Sequence, residues 1–494
     1  MYHISDCKKY NRCPRMFVLE TNDGKQEFRP FVRLDEEITE LAAQKLRVSG
    51  RIFTGARGDD GGKALAAAET ADWLIKARFE YGGLRIKVPF LHRTEEGWEL
   101  YFLFAGLYPH ADDMQFYCDT KWVLDGCGIH VTDWQVIHLN AAYVRGDELD
   151  PDQLFIISPS FYNGRNNPTL PVAAAIEKAM ENNMIPVAEM DRCLAGKIPA
   201  PVRTNACTGR SKCRWYSECF PDEKREDDNS IVTLIGAQHR YAMKREGRLR
   251  LRDADESRIE GSRQQYAQIM ADSSPEGLFA DRLALHAWLD SVKWPVTFID
   301  FEWERFAIPP YKGMKPYDVL PFEYSIDILY EDGTRDHKVW LATGDDRAEL
   351  AESMIHDIPD EGSVMAYNAE GAEKIRIREL AELLPEYREK LLSFNERMED
   401  LQLPFESGTV YDIRMRGQWS LKVLMSMMDD PGYHDLDIQQ GMDAVFEWRH
   451  LDLSENVENR QEIIDNLKAY CGMDSYAMTV VFRWLCEIDS SPLA

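Results

Sequence analysis

Between Phe79 and Pro109 apolar and polar residues alternate (FEYGGLRIKVPFLHRTEEGWELYFLFAGLYP), and the step Glu95-Glu96-Gly97 interrupts the alternation. A period of two broken by turn residues predicts paired strands. Residues 171–190 (PVAAAIEKAMENNMIPVAEM) read as a helix, and 237–290 as mostly helical. From Trp294 the rhythm changes. WPVTFIDFEWE reads as a buried strand, FEYSIDILYEDG and RDHKVWLATG as the next two, joined at Glu331-Asp332-Gly333, and GSVMAYNA as a fourth. Helices are expected near 373–397, 419–428 and 458–488. Strands first and helices interleaved afterwards predict an α/β fold with a mixed sheet and helices packed on it. No repeat of 20–50 residues is visible.

Length and composition narrow this picture. At 494 residues the chain calls for two or three domains. With 44% hydrophobic and 29% charged residues it argues against long disorder. No apolar run approaches the ~20 residues that cross a bilayer. The start, MYHISDCKKYNRCPRMF, has no apolar core of a secretory signal, so the cytoplasm is the expected compartment and no membrane is expected as a partner. The formal net charge is −27, so any binding of nucleic acid must come from a local basic patch. HRYAMKREGRLRLRD is the most basic run, with Arg240, Lys244, Arg245, Arg248, Arg250 and Arg252. It is either a solvated helix face or a stripe that contacts phosphates. The polar stretch PDEKREDDNS after Cys219 marks a domain edge.

Carboxylates carry the candidate chemistry. Asp300 and Glu302 lie in FIDFE, and on a strand residues two apart share a face. Phe298 shares that face, while Ile299 and Phe301 point the other way. Adjacent acids at the end of an apolar strand are costly unless something pairs them, and a divalent cation does so. Tyr470 and Asp474, in AYCGMDSYAM, are four apart on a helix and share its face. Between these pairs, AYNAEGAEKIRIREL places Glu370 and Glu373 just beyond a short strand.

Over about 294–487 these pieces resemble the four-acid 3′→5′ exonuclease superfamily of ribonuclease-H-like fold, in its tyrosine variant (DEDDy). Its Asp-x-Glu motif matches Asp300 and Glu302, and its Tyr-x-x-x-Asp motif matches Tyr470 and Asp474. The middle motif departs from the usual pattern. The chain reads Tyr-Asn-Ala-Glu-Gly-Ala-Glu-Lys, one residue longer than related proteins, and has Glu where Asp is usual. Alignment on the Glu-Lys end selects Glu373; alignment on Asn368 leaves Glu370. The resemblance implies two Mg²⁺ or Mn²⁺ ions about 4 Å apart, held by Asp300, Glu302 and Asp474. Asp300 would bridge them, Glu373 would hold metal-bound water and Tyr470 would orient the attacking water. It implies single-stranded DNA or RNA as substrate and a nucleoside 5′-monophosphate as product.

In the expected cytosolic compartment the ten cysteines argue against a disulfide framework. Cys207, Cys213 and Cys219 stand five residues apart in NACTGRSKCRWYSECF, and Cys13 precedes Pro14 near the start. Residues 1–222 thereby resemble the iron–sulfur RecB-like nucleases, including the CRISPR-adaptation branch, in which four such thiolates hold a [4Fe–4S] cluster. Cys7 is an alternative first ligand, and structural zinc or free thiols are other uses. That family's Glu-x-Lys strand is missing from WELYFLFAGLYPHADDMQFYCDTKWVLDGCGI. Asp112, Asp113 and Lys121 could make only an irregular site, so the expected role is binding or architecture. The expected division is 1–222, a RecB-like iron–sulfur domain; 223–292, a helical linker; and 293–494, the exonuclease domain. A protein partner in genome maintenance or defence fits the same resemblance. The competing readings are a non-catalytic nucleic-acid-binding scaffold, favoured by the altered middle motif and by Trp303 after the acids, and an active first domain beside a passive second.

Overall fold

The computed structural model describes residues 1–23, 32–182, 185–204, 207, 213–221, 227–428, 430, 432–435, 438, 441–451 and 458–491. Residues 222–226, half of the polar stretch after Cys219, lie outside them. The chain is mixed α/β and divides into two compact units: Met1–Lys224 with Phe306–Asp318, and Arg225–Arg305 with Val319–Ala494.

In the first unit β1 (Tyr2–His3), β2 (Ile52–Thr54), β3 (Trp73–Tyr81), β4 (Leu84–Arg93), β5 (Trp98–Phe104), β6 (Val131–Leu139) and β7 (Phe155–Ser158) form one sheet. Its order is β2-β3-β4-β5-β6-β7, with β1 parallel to the start of β4. β3, β4 and β5 are antiparallel neighbours, with β3 beginning at Trp73, before the alternation that starts at Phe79, and Phe79, Val88, Phe90, Leu100 and Phe102 are buried. A hairpin of β8 (Ser160–Tyr162) and β9 (Pro168–Pro171) follows. The helix expected over 171–190 is two, Val172–Met180 and Val187–Ala195, with Pro186 capping the second. Proline removes the N–H that a continuous helix would need there.

The second unit holds β10 (Leu278–Ala280), β11 (Val296–Arg305), β12 (Val319–Leu329), β13 (Arg335–Leu341), β14 (Ser363–Ala366), β15 (Met398–Asp400) and β16 (Val410–Asp412). Its main sheet runs β13-β12-β11-β14-β15; β13, β12 and β11 are antiparallel, and β14 and β15 run parallel to β11. β10 and β16 pair separately. On one face Ile299, Phe301, Tyr324 and Ile326 pack with Leu350, Met354, Ile377 and Leu380. On the other, Val296 and Phe298 pack with Met478, Val481 and Phe482 of the helix Arg460–Ser490. The helix expected over 373–397 breaks into Glu373–Leu383 and Arg388–Glu396 around Pro385, again because proline cannot donate.

Two departures concern the boundaries. Residues 223–292 are not a linker where described: Ala267, Ala271 and Leu285 lie fully buried in the second unit's core. Residues 306–318, between β11 and β12 in sequence, complete the first unit. Ala307 and Ile308 are buried with Trp73, Phe90 and Leu139. Arg145 Nη1 donates to the Pro309 carbonyl at 2.7 Å.

The basic run is partly turned inward. Buried Asp272 accepts from Arg250 Nη2 at 2.8 Å, Arg252 Nε at 2.9 Å and Asn229 Nδ2 at 2.6 Å. Burial alone would raise its pKa, but the Arg252 and Arg250 hydrogen bonds outweigh it and lower the carboxyl to about 2. Its contribution to stability is therefore full above the ordinary value of 3.8 and lost as pH falls through about 2. Asp272→Ala is expected to lower stability by about 2–3 kcal/mol, since removing one partner strands the other charges. Urea denaturation at neutral pH measures it, and the gap between variant and parent closes in acid.

Candidate metal centre

Strand alternation carries Asp300 and Glu302 beyond Phe298 on the face covered by the C-terminal helix. One buried stripe of that helix includes Leu467, Tyr470 and Met478, and Asp474 is four residues beyond Tyr470. The carboxylates of Asp300, Glu302 and Asp474 each offer an oxygen within 4.8 Å of the others. All three keep partial exposure, so a small ion can reach them.

The middle acid arrives by a tight turn. After β14, Asn368 takes a left-handed conformation (φ 63°), which Asn tolerates better than most residues. Its amide donates to Asp400 Oδ1 at 3.0 Å, and Gly371 N donates back to Asn368 O at 2.9 Å. A Cβ on Gly371 would lie 2.6 Å from the Asn368 side-chain amide, which would have to turn aside to admit it. This turn absorbs the extra residue of the motif and starts the helix at Glu373. Glu373 is buried, its Oε2 has no hydrogen-bond partner, and it feels the charge of Asp474. Glu370 is exposed and paired with Lys374 at 2.6 Å.

The electrostatics are those of crowded like charges. Burial, then the charges of Asp474, Glu302, Glu373 and Glu323, raise Asp300 well above the carboxylate range. Burial and Asp474 push Glu302 up to about 8 against the pull of Lys422. Burial also raises Glu373 to about 8 and Asp474 to about 6, the latter despite Tyr433 and Lys422. The Tyr433 hydroxyl donates to Asp474 Oδ1. Lys422 Nζ donates to the Tyr470 hydroxyl at 3.2 Å and lies over the Tyr433 and Tyr470 rings.

Sequence reasoning missed Lys422, Tyr433 and Glu323. Glu323 faces Glu302 across the β11–β12 ladder, is fully buried, and neither of its carboxylate oxygens has a partner. The alternation Glu323-Ser325-Asp327 in an otherwise apolar strand was its available signal. At the same point the ladder slips, pairing Trp303 with Pro321, which has no N–H to continue it. Trp303 packs against the core on the opposite face, under Arg305 and Arg376, and does not fill the acidic cleft.

In the first unit, Cys13, Cys207, Cys213 and Cys219 all line one small cavity. Three of the four sulfurs accept hydrogen bonds: Cys13 from Met16 N at 3.5 Å, Cys207 from Thr204 N at 3.5 Å, Cys219 from Arg15 Nε at 3.2 Å. No three of them come within 4.8 Å of one another. The cysteines therefore share a cavity lining without forming a compact thiolate group. Cys7 is not among them: it is buried in the core beside Asp119, and burial with that charge raises its thiol to about 12. Asp112, Asp113 and Lys121 do not converge. Asp113 pairs with Lys8 and Lys121 with Asp125 at 2.9 Å.

Acids whose folded pKa is raised hold their protons better folded than unfolded, so stability falls as pH rises from their ordinary values through about 8. Without metal, the melting temperature is expected to fall between about pH 5 and pH 8. Added Mn²⁺ raises it, by more at the alkaline end, because the ion binds the deprotonated cluster. Thermal scans across pH, with and without Mn²⁺, check this; a shift independent of pH would contradict it.

A family model described as a domain of unknown function (DUF2779) matches residues 297–420. No curated protein and no solved structure matches the chain.

Proposed function

We propose that the chain is a metal-dependent 3′→5′ exonuclease acting on single-stranded nucleic acid, with a ribonuclease-H-like second unit and a RecB-like iron–sulfur first unit. The observation that carries this reading is the meeting of three carboxylates from two distant segments within 4.8 Å. The sheet order β13-β12-β11-β14-β15, with Glu373 opening the helix after β14, supports it as well. The polarity rests on the family resemblance.

In this reading Asp300, Glu302 and Asp474 hold the divalent ions. Bound there, the ions would activate water and stabilise the departing 3′ oxygen. Glu373, whose Oε2 has no partner in the protein, would hold a metal-bound water. The Tyr470 hydroxyl, which accepts from Lys422 Nζ, would orient the attacking water. The Tyr433 hydroxyl holds the Asp474 carboxylate in place. The four lining cysteines would hold a [4Fe–4S] cluster as thiolates, with Arg15 offsetting their charge at Cys219.

Purified protein with 5′-labelled single-stranded DNA or RNA and Mn²⁺ or Mg²⁺ is expected to give a ladder shortening from the 3′ end. Asp300→Ala and Asp474→Ala each reduce the rate at least ~100-fold, because each removes a direct ligand. Activity that survives both substitutions excludes this centre. Binding of nucleic acid without cleavage, and without Mn²⁺ uptake by calorimetry, would instead make the protein a scaffold.

Anaerobically purified protein is expected to be brown, with absorbance near 400 nm. Iron analysis should give about four irons per chain, falling sharply in Cys213→Ala. Zinc in their place would overturn the cluster.

A further inference from the structure

A cavity of about 490 Å³ in the first unit plays no part in the proposed exonuclease chemistry. Lys76, Arg85 and Lys87 line it, with His3, Ile4 and Ser5 at the start of the helix Ile4–Arg12. The rest of the wall is largely apolar, with Ile38, Leu103 and Phe116. Its volume falls within the ~300–1,000 Å³ usual for small-ligand sites.

Lys76 is placed there by a break in the sheet. Within β3 it has a left-handed backbone (φ 49°), unusual for a long side chain, while Ile75 pairs with Phe90 and Ala77 with Val88. Pro89, the residue left opposite, has no N–H for the ladder. Such an irregularity turns a side chain out of the normal alternation and is often kept beside a binding site.

The charges are unequally matched. Lys87 Nζ and Lys76 Nζ approach the same Asp35 Oδ2, at 3.1 and 3.8 Å. Arg85 is paired with Glu80. Three cations therefore meet two carboxylates in a chain of net charge −27. The helix start adds further N–H groups and the positive end of the helix dipole, beside the Asp6 carboxylate that already accepts from His3 N at 2.9 Å. Among the described lining residues Asp35 is the one carboxylate, so an anion would be held by ammonium and N–H groups rather than through a divalent ion.

We propose that this cavity binds a nucleotide, the phosphate between Lys76, Lys87 and the helix start and the nucleoside against the apolar wall. The nucleotide is either free or the terminal residue of a strand. Asp35 holds the two lysines in place and is displaced when phosphate enters. This inference is independent of the acidic centre.

The test uses full-length Asp300→Ala protein in EDTA, so that no substrate is turned over. Calorimetry with AMP, adenosine, inorganic phosphate and single-stranded oligonucleotides with and without a 5′-phosphate gives the affinities. AMP is expected to bind at least ~10-fold more tightly than adenosine, and Lys76→Gln or Lys87→Gln to weaken AMP at least ~10-fold. Asp35→Asn should tighten AMP several-fold, a gain that a misfolded variant could not give. A 5′-phosphorylated strand that outcompetes AMP identifies a strand end; AMP binding without that preference identifies a free nucleotide. Equal affinity for AMP and adenosine, unchanged binding in both lysine variants, or no binding of any probe would overturn the proposal.

Discussion

The second unit is organised around a repulsion. Asp300, Glu302 and Asp474 form one cluster, with Glu373 and Glu323 buried around them. Withdrawing each charge from water costs several kcal/mol, and like neighbours add to that. Apolar contacts on both faces of the sheet hold the acids together: Phe298 against Phe482 on one side, Ile299 and Phe301 against the helix pair on the other. Lys422 and the Tyr433 hydroxyl ease the strain only partly. A site that a cation would relieve is thus a product of core packing rather than of local attraction.

The sheet order explains why the acids meet. β11 is central, so its neighbours β12 and β14 bring Glu323 and the Glu373 turn alongside it. The C-terminal helix is anchored on the same face by Ser325, whose hydroxyl donates to the Cys471 carbonyl at 2.6 Å, and by Asp327, which accepts from Ser475 at 2.7 Å. Those two contacts fix the helix rotation that points Asp474 towards Asp300.

The first unit works with opposite chemistry. Where the nuclease resemblance would call for a Glu-x-Lys strand, β5 carries aromatic residues, and Phe102 is buried among others. Its distinctive groups are four thiols in one cavity and lysines and an arginine in another. Residues 306–318 complete its core, so the chain returns to the first unit immediately after β11 has delivered Glu302.

The strands at 79–104 and 296–341, the shared face of Asp300 and Glu302 and the pairing of Tyr470 with Asp474 on one helix face were legible from period alone. These are local properties, set by alternation and by the helical turn. The choice of Glu373 over Glu370 as the residue beside the cluster depended on a left-handed Asn368 that no spacing encodes. Lys422, Tyr433 and Glu323 join the acids through contacts distant in sequence. Arg250 and Arg252 of the basic run are drawn onto buried Asp272, and Phe306–Asp318, inside the stretch 293–494 expected to be one domain, belongs to the first unit. The sequence by itself determined which residues share a strand or helix face. Only the tertiary structure decided which faces meet, because that depends on the packing of apolar surfaces far apart in the chain.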